Sequence, residues 1–193
     1  MTLRTSNQLF DAYFTADSMA EVFCDQGRLQ GMLDFEAGLA RAQAQVGLIP
    51  QAAVAPIAQA CLASLYDVDA LGVAIATAGN SAIPLVKALG KLIASEDAGA
   101  ERYVHLGATS QDVMDTGLVL QLRRAVALLP EEHRQVIELR FQAELSLEEI
   151  SGALGIPLGT VKSRLHHGLE KLRQQRFCVN LFSTTVESRA RQA

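Results

Sequence analysis

The chain has 193 residues, 49% hydrophobic and 20% charged, with a formal net charge of -4, a composition that excludes a disordered tail. Aromatics make up 5% and Trp is absent, which favours an all-α fold, since strands prefer aromatic and β-branched residues. The acidity speaks against a nucleic-acid binder only while the chain is averaged: residues 1–129 hold 8 Lys+Arg and 13 Asp+Glu, and residues 130–193 hold 9 and 8. Such asymmetry points to two units with different tasks. Cys24, Cys61 and Cys178 are widely spaced and form no Cys-x-x-Cys pair, so neither a disulfide framework nor a metal site is expected. No basic start followed by an apolar run marks a leader, and Gly and Pro interrupt the long uncharged stretches. A cytoplasmic protein without a membrane partner is the expectation.

In chain order, Ser18-Met19-Ala20-Glu21 has the hydroxyl and carboxylate of a capping box. Leu29, Met32, Leu33, Ala37 and Ala40 follow at helical spacing, up to Gly47 and Pro50. A second helix is predicted from about Gln51 to Leu65, and a third capped by Asp67 or Asp69. Gly79-Asn80-Ser81 breaks the pattern, and Pro84 suits the first turn of the next helix. Tyr103 to Gly107 reads as extended. A long helix starts near Ser110 with a stripe of Leu118, Leu122, Val126 and Leu129. Pro130 interrupts it, because an internal Pro removes a hydrogen bond and clashes with the preceding turn. Beyond it, Val136, Ile137 and Phe141 make an apolar side. Ser146-Leu147-Glu148-Glu149 is a second capping box, turning Leu147, Ile150 and Leu154 inward. After a turn at Gly155 to Gly159, Thr160 is expected to cap a last helix striped by Val161, Leu165, Leu169 and Leu172. Residues 177–193 have no period and are expected to be irregular.

Two short helices joined by a Gly-containing turn, the second basic, make a helix-turn-helix pattern. With Val161 at zero and about 100° per residue, Lys162, Ser163, His166 and His167 fall opposite the apolar stripe. Lys162 to Arg176 includes five basic residues and one acidic residue. A cationic face suits phosphate attraction, and long donors near the N-terminal end suit base edges in the major groove. A solvated helix also carries such charges, so the charge run alone does not decide. The segments Leu129-Pro130-Glu131-Glu132-His133-Arg134-Gln135-Val136-Ile137-Glu138-Leu139-Arg140-Phe141, Leu145-Ser146-Leu147-Glu148-Glu149-Ile150 and Gly155-Ile156-Pro157-Leu158-Gly159-Thr160-Val161-Lys162-Ser163-Arg164-Leu165 are more specific. They resemble region four of the extracytoplasmic-function RNA polymerase sigma factors. The resemblance implies a module that reads the −35 element of promoter DNA and touches the β flap of the polymerase. Lys162, Ser163 and His166 match DNA-reading positions. Thr160 and Arg164 match positions near the DNA backbone. His167 stands where Arg is frequent in that family. Nothing before Leu129 resembles region two, so the resemblance does not imply initiation by this chain alone.

The segment His105-Leu106-Gly107-Ala108-Thr109-Ser110-Gln111-Asp112 has small residues, two hydroxyls and a helix start, a combination that suits a carboxylate. Thr-Ser before a helix also serves as a plain cap. Together with Leu9-Phe10-Asp11-Ala12-Tyr13-Phe14 and Gly79-Asn80-Ser81-Ala82-Ile83-Pro84-Leu85-Val86, this segment resembles the fumarase/aspartase superfamily, within it the carboxymuconate cycloisomerases. That implies a helical N-terminal domain leading into the first helix of a central bundle, and reversible lactonisation without metal or organic cofactor. Thr109 and Ser110 match substrate-carboxylate binders, His105 matches an active-site histidine, and Asn80 and Ser81 lie in a second substrate-facing stretch. No Ser-Ser pair occurs, so the family's Ser-Ser-x-Met-Pro loop, which carries the base, is absent, and the implied enzyme is inactive alone. The chain reads as a chimera: a truncated fumarase/aspartase-like domain (1–129), a sigma-type helix-turn-helix (130–176) and a tail (177–193). Without its bundle, the helix Leu118–Leu129 is expected to self-associate or find another apolar surface.

Overall fold

A computed structural model describes residues 17–95, 97 and 99–173; the expected irregular tail lies outside them. All regular elements of the described residues are helical. In chain order they are α1 (Asp17–Phe23), α2 (Asp25–Gln45), α3 (Val54–Ala60), α4 (Val68–Ala78), α5 (Ala82–Ala94), α6 (Ser110–Ala127), α7 (Glu131–Phe141), α8 (Leu147–Leu154) and α9 (Leu158–Arg173), with 3-10 turns at Gln51–Ala53, Ala63–Leu65 and Glu101–Tyr103. The chain folds as two compact units. One comprises residues 24–122, and the other combines residues 17–23 with residues 123–173.

In the unit of residues 24–122, α2 is the central element. Its face of Met32, Leu33, Ala37 and Ala40 packs with Ile57 and Ala60 of α3, Leu85, Leu89 and Ile93 of α5, and Val113 of α6. Each fully buried Leu or Ile of this set contributes roughly 1.5–3 kcal/mol. Helices α2 and α6 meet backbone to backbone. A Cβ on Gly31 would lie 2.6 Å from the Gly117 carbonyl oxygen, and one on Gly117 would lie 3.0 Å from the Met32 nitrogen. Gln30 ties α2 to the turn after α3: Nε2 donates to the Cys61 carbonyl at 3.1 Å, and Oε1 accepts from the Ala63 amide at 2.8 Å.

Several expectations are corrected here. The helix through Ser18 and Leu29 is broken at Cys24, whose Sγ accepts from the Gly27 amide at 3.3 Å and so caps α2; Ser18 lies inside α1 rather than at its cap. The Gln51–Leu65 segment is a short helix between two 3-10 turns. Asp67 is the residue that caps α4, accepting from the Asp69 and Ala70 amides. Tyr103 to Gly107 is not extended. It closes a 3-10 turn and then doubles back with φ of 56° at His105 and 71° at Gly107. The buried edge of α6 is Val113, Gly117, Gln121 and Ala125, followed by Leu129, one residue out of step with the predicted stripe.

The second unit brings α1, the end of α6, α7, α8 and α9 together. Val136, Ile150 and Val161, one from each of α7, α8 and α9, are fully buried and define its centre. A second cluster joins Met19, Ala125, Leu129, Ile137 and Leu172, with Val22, Phe23, Val126 and Leu165 packed against it. Leu129 and Val126 thus find another apolar surface within the chain, one of the two outcomes expected for this helix, and Leu118 and Leu122 are half-buried. Pro130 precedes the first turn of α7 as its N-cap, where its missing N–H removes no helical bond. Phe141, assigned to the apolar side, is 55% exposed.

Candidate functional site

The helix-turn-helix is formed by α8, a turn at Gly155 and α9. Ser146 and Glu149 complete both halves of the predicted capping box: Glu149 accepts from the Ser146 amide and hydroxyl, and Ser146 accepts from the Glu149 amide. Those bonds hold the exposed Glu149 carboxyl below its ordinary range. Gly155 takes the left-handed conformation, φ 64°, that ends α8. α9 starts at Leu158, three residues earlier than a cap at Thr160 predicts. Pro157 O accepts from the Thr160 and Val161 amides, so Thr160 lies in the first turn and is not the cap.

On α9, Val161 and Leu172 are buried and Leu165 is half-buried, while Lys162, Ser163, His166 and His167 are exposed together on the other side. Thr160 is half-buried, as is Arg164, whose guanidinium lies 3.9 Å from Glu132 of α7. The Arg164 carbonyl accepts from His133 Nδ1 at 3.2 Å. The two helices come close because residue 168 is glycine: a Cβ there would lie 2.8 Å from Ile137 Cδ1. His167 Nδ1 lies 2.8 Å from the Ser163 carbonyl and 3.3 Å from its hydroxyl. A carbonyl can only accept, so Nδ1 carries the hydrogen and the neutral ring keeps Nε2 as its acceptor. The rings of His166 and His167 meet edge to face at 5.5 Å.

The second set of predicted residues lies in the unit of residues 24–122. His105 Nδ1 is 2.6 Å from Glu36 Oε1, and Glu36 is 2% exposed. Burial raises the Glu36 carboxyl, and the His105 bond partly offsets this. One residue on, the Leu106 carbonyl accepts from Gln43 Nε2 at 2.6 Å. Two polar side chains of α2, a heptad apart, therefore hold the left-handed turn that carries His105. Sequence reasoning missed both, although each falls on the apolar face of α2 where a polar residue is out of pattern. Thr109 opens α6 through a capping box: its amide and hydroxyl both donate to Asp112 Oδ2 at 2.8 Å. These bonds, with a smaller contribution from His105, lower the exposed Asp112 carboxyl. Ser110 is the first residue of α6.

His105, Thr109 and Asp112 thus share one locality. Asn80 and Ser81 sit elsewhere in the local bonding: Asn80 Oδ1 accepts from the Ala82 and Ile83 amides at the start of α5. Among the described residues no hydrogen bond joins Asn80 or Ser81 to His105, Thr109 or Ser110. A groove of about 840 Å³ between α4 and α5 is lined by none of the predicted residues. Among the described residues no group of three or more His, Cys, Asp or Glu is placed to hold a metal ion, and no helix is long and apolar enough to cross a membrane. Burial pushes the Cys61 thiol up to about 12, leaving it protonated.

Comparison with known families agrees with both halves of this description. The lyase family model matches residues 12–145. The chain belongs to the lyase family. The lyase segment is 68% identical over 140 residues to 3-carboxy-cis,cis-muconate cycloisomerase of Pseudomonas aeruginosa, a match covering 72% of this chain and 30% of that protein. It is 41% identical over 105 residues to nitrosuccinate lyase of Streptomyces davaonensis, covering 54% and 22%. The crystal structure of the 3-carboxy-cis,cis-muconate lactonizing enzyme from Pseudomonas putida superposes with a TM-score of 0.64 at 66% identity, over 71% of this chain and 31% of that one. The chain spans about a third of the length of the lyase relatives it matches. The model described as Sigma-70, region 4, matches residues 125–174. A lyase segment and a sigma-type helix-turn-helix are therefore joined in one chain, and their matches overlap at residues 125–145.

Proposed function

We propose that the chain acts as a DNA-binding module that recognises a −35-like promoter element, with the parental junction at Leu129/Pro130. The observation that carries this reading is the division of α9: Val161 and Leu172 are buried while Lys162, Ser163, His166 and His167 stand exposed together. Lys162, Ser163 and His166 read bases. Thr160, Arg164 and His167 lie along the phosphates, and Arg164 exchanges its distant Glu132 partner for phosphate. The β flap of RNA polymerase is the protein partner, and the setting is cytoplasmic. The test is titration of a −35-like duplex and a scrambled duplex across salt. Lys162→Ala is expected to weaken the −35-like complex by about 1–3 kcal/mol if it touches a base edge. Equal binding to both duplexes, unmoved by Lys162→Ala, sinks the reading.

A second reading is favoured by the Glu36–His105 pair beside the Thr109 helix start. Here the chain carries part of a cycloisomerase-type site, with His105 as its histidine and Thr109, Ser110, Asn80 and Ser81 holding substrate carboxylates. General acid–base work needs a base within reach of the substrate proton. No Ser-Ser-x-Met-Pro loop is present to supply one. The expectation is no turnover of 3-carboxymuconate by this chain alone. Turnover abolished by Thr109→Ala would reverse it.

A further inference from the structure

The DNA-facing side of α9 carries a feature that its lysine and arginine residues do not explain. His166 and His167 are adjacent, exposed and in edge-to-face contact at 5.5 Å. The His167 ring is also fixed: Nδ1–H donates to the Ser163 carbonyl at 2.8 Å, with the Ser163 hydroxyl at 3.3 Å. In the neutral ring this leaves Nε2 as an acceptor, which repels a phosphate oxygen. One added proton makes Nε2–H a cationic donor while the Nδ1 bond stays in place, so the ring need not turn to change its role. We infer that the His166–His167 pair makes DNA affinity proton-linked, the complex taking up a proton on this pair as the phosphates engage. This rests on the DNA-binding reading above.

Charged and titratable groups lie on α9 and on the two helices of the unit packed against it, of which α8 carries Glu148 and Glu149. α9 supplies Lys162, Arg164, Glu170 and Lys171, and α7 supplies His133, whose ring centroid is 6.3 Å from that of His167, and Glu132. His133 is tied down differently. Its Nδ1 donates to the Arg164 carbonyl, Nε2 is 4.0 Å from Glu132, and its side chain is 13% exposed. A proton on His133 is therefore matched by Glu132, within the protein. Along α9 the pair is flanked by Lys162, Glu170 and Lys171, charges of both signs, and DNA phosphate adds negative charge beside it. Two imidazolium rings in contact repel, so the first proton is taken up more readily than the second.

The linkage has a definite sign. Binding raises the affinity of the pair for protons, so DNA affinity rises as pH falls through the ordinary histidine range near 6.5. If binding raises one ring by a pKa unit, the change approaches tenfold. Each protonated ring that meets a phosphate also adds about 0.9 to the slope of log affinity against log salt.

The test uses the full chain, with fluorescence anisotropy of a labelled −35-like duplex at pH 8.0 and pH 5.5 over a range of potassium chloride. Wild type should bind up to about tenfold more tightly at pH 5.5, with a salt slope steeper by about 0.9. The double variant His166→Gln/His167→Gln should lose both differences while keeping its melting temperature, and His167→Arg should bind tightly at both values. If the double variant keeps the pH dependence, or wild type shows none while Lys162→Ala still weakens binding, the inference is overturned and the DNA-binding reading stands. Absence of duplex binding at either pH overturns both.

Discussion

Glu36 shows how one side chain sets the character of its surroundings. It lies on the apolar face of α2, almost fully buried, and holds the ring of His105. Its carboxyl is raised above the ordinary 4.5, chiefly by burial. The folded state therefore holds the proton more tightly than the unfolded state. The associated stability is complete below the unfolded value and is lost as pH climbs through the raised folded value. Glu36→Gln keeps an acceptor for His105 and has no charge to bury. It should gain on wild type as pH rises from 4 to 8, by about 1.4 kcal/mol for each unit of the raise. Glu36→Ala should instead lose about 1–3 kcal/mol at all these values, since His105 Nδ1 loses its partner. Urea unfolding of the three proteins at several pH values checks both. Glu36 and Gln43 were not legible as site residues because their role depends on the left-handed turn at residues 105–107, about 70 positions away. No local pattern announced that turn.

Helix pairs are governed here by two glycine contacts of different kinds. At Gly31 the obstacle to a Cβ is the Gly117 carbonyl oxygen, which belongs to a helix backbone. Gly31→Ala must push α2 and α6 apart and should cost about 1–3 kcal/mol or more. At Gly168 the obstacle is the Cδ1 methyl of Ile137. Gly168→Ala should be costly alone and recover much of its loss with Ile137→Val, which removes that methyl. Ile137→Val alone should cost about 0.5–1.5 kcal/mol. A double-mutant cycle by thermal unfolding reads the coupling, and additive losses would contradict the close contact. The helix starts were legible: Pro130 and Ser146 stand where predicted, and Asp67 is one of the two caps offered for α4. The breaks were less so. Cys24 caps through sulfur, which is outside the usual cap residues, and the α6 pattern of Leu118, Leu122 and Val126 concealed a buried edge made of Gly117, Gln121 and Ala125.

Across the whole molecule, the division by ancestry and the division by packing are distinct. The lyase match extends through residues 12–145, yet Asp17–Phe23 packs with the sigma-type helices, where Met19 is 6% exposed in the cluster of Leu129, Ile137 and Leu172. Met19→Ala should therefore lower the stability of the helix-turn-helix unit by about 2–5 kcal/mol. Hydrogen exchange of α9 amides would show it, and unchanged protection there would contradict the shared core. The two parental patterns were legible because each motif is short and contiguous. The sharing of α1 was not, because an apolar stripe records how much surface must be covered and not which part of the chain will cover it.

That shared core also sets an order of events during synthesis. Met19 leaves the ribosome 153 residues ahead of its partner Leu172. At about 5–20 residues per second the wait is roughly 8–30 s, during which residues 24–122 can already close around α2. The helix-turn-helix unit can therefore assemble only after residues 24–122 have emerged, and α1 must stay uncommitted until α9 has left the ribosome.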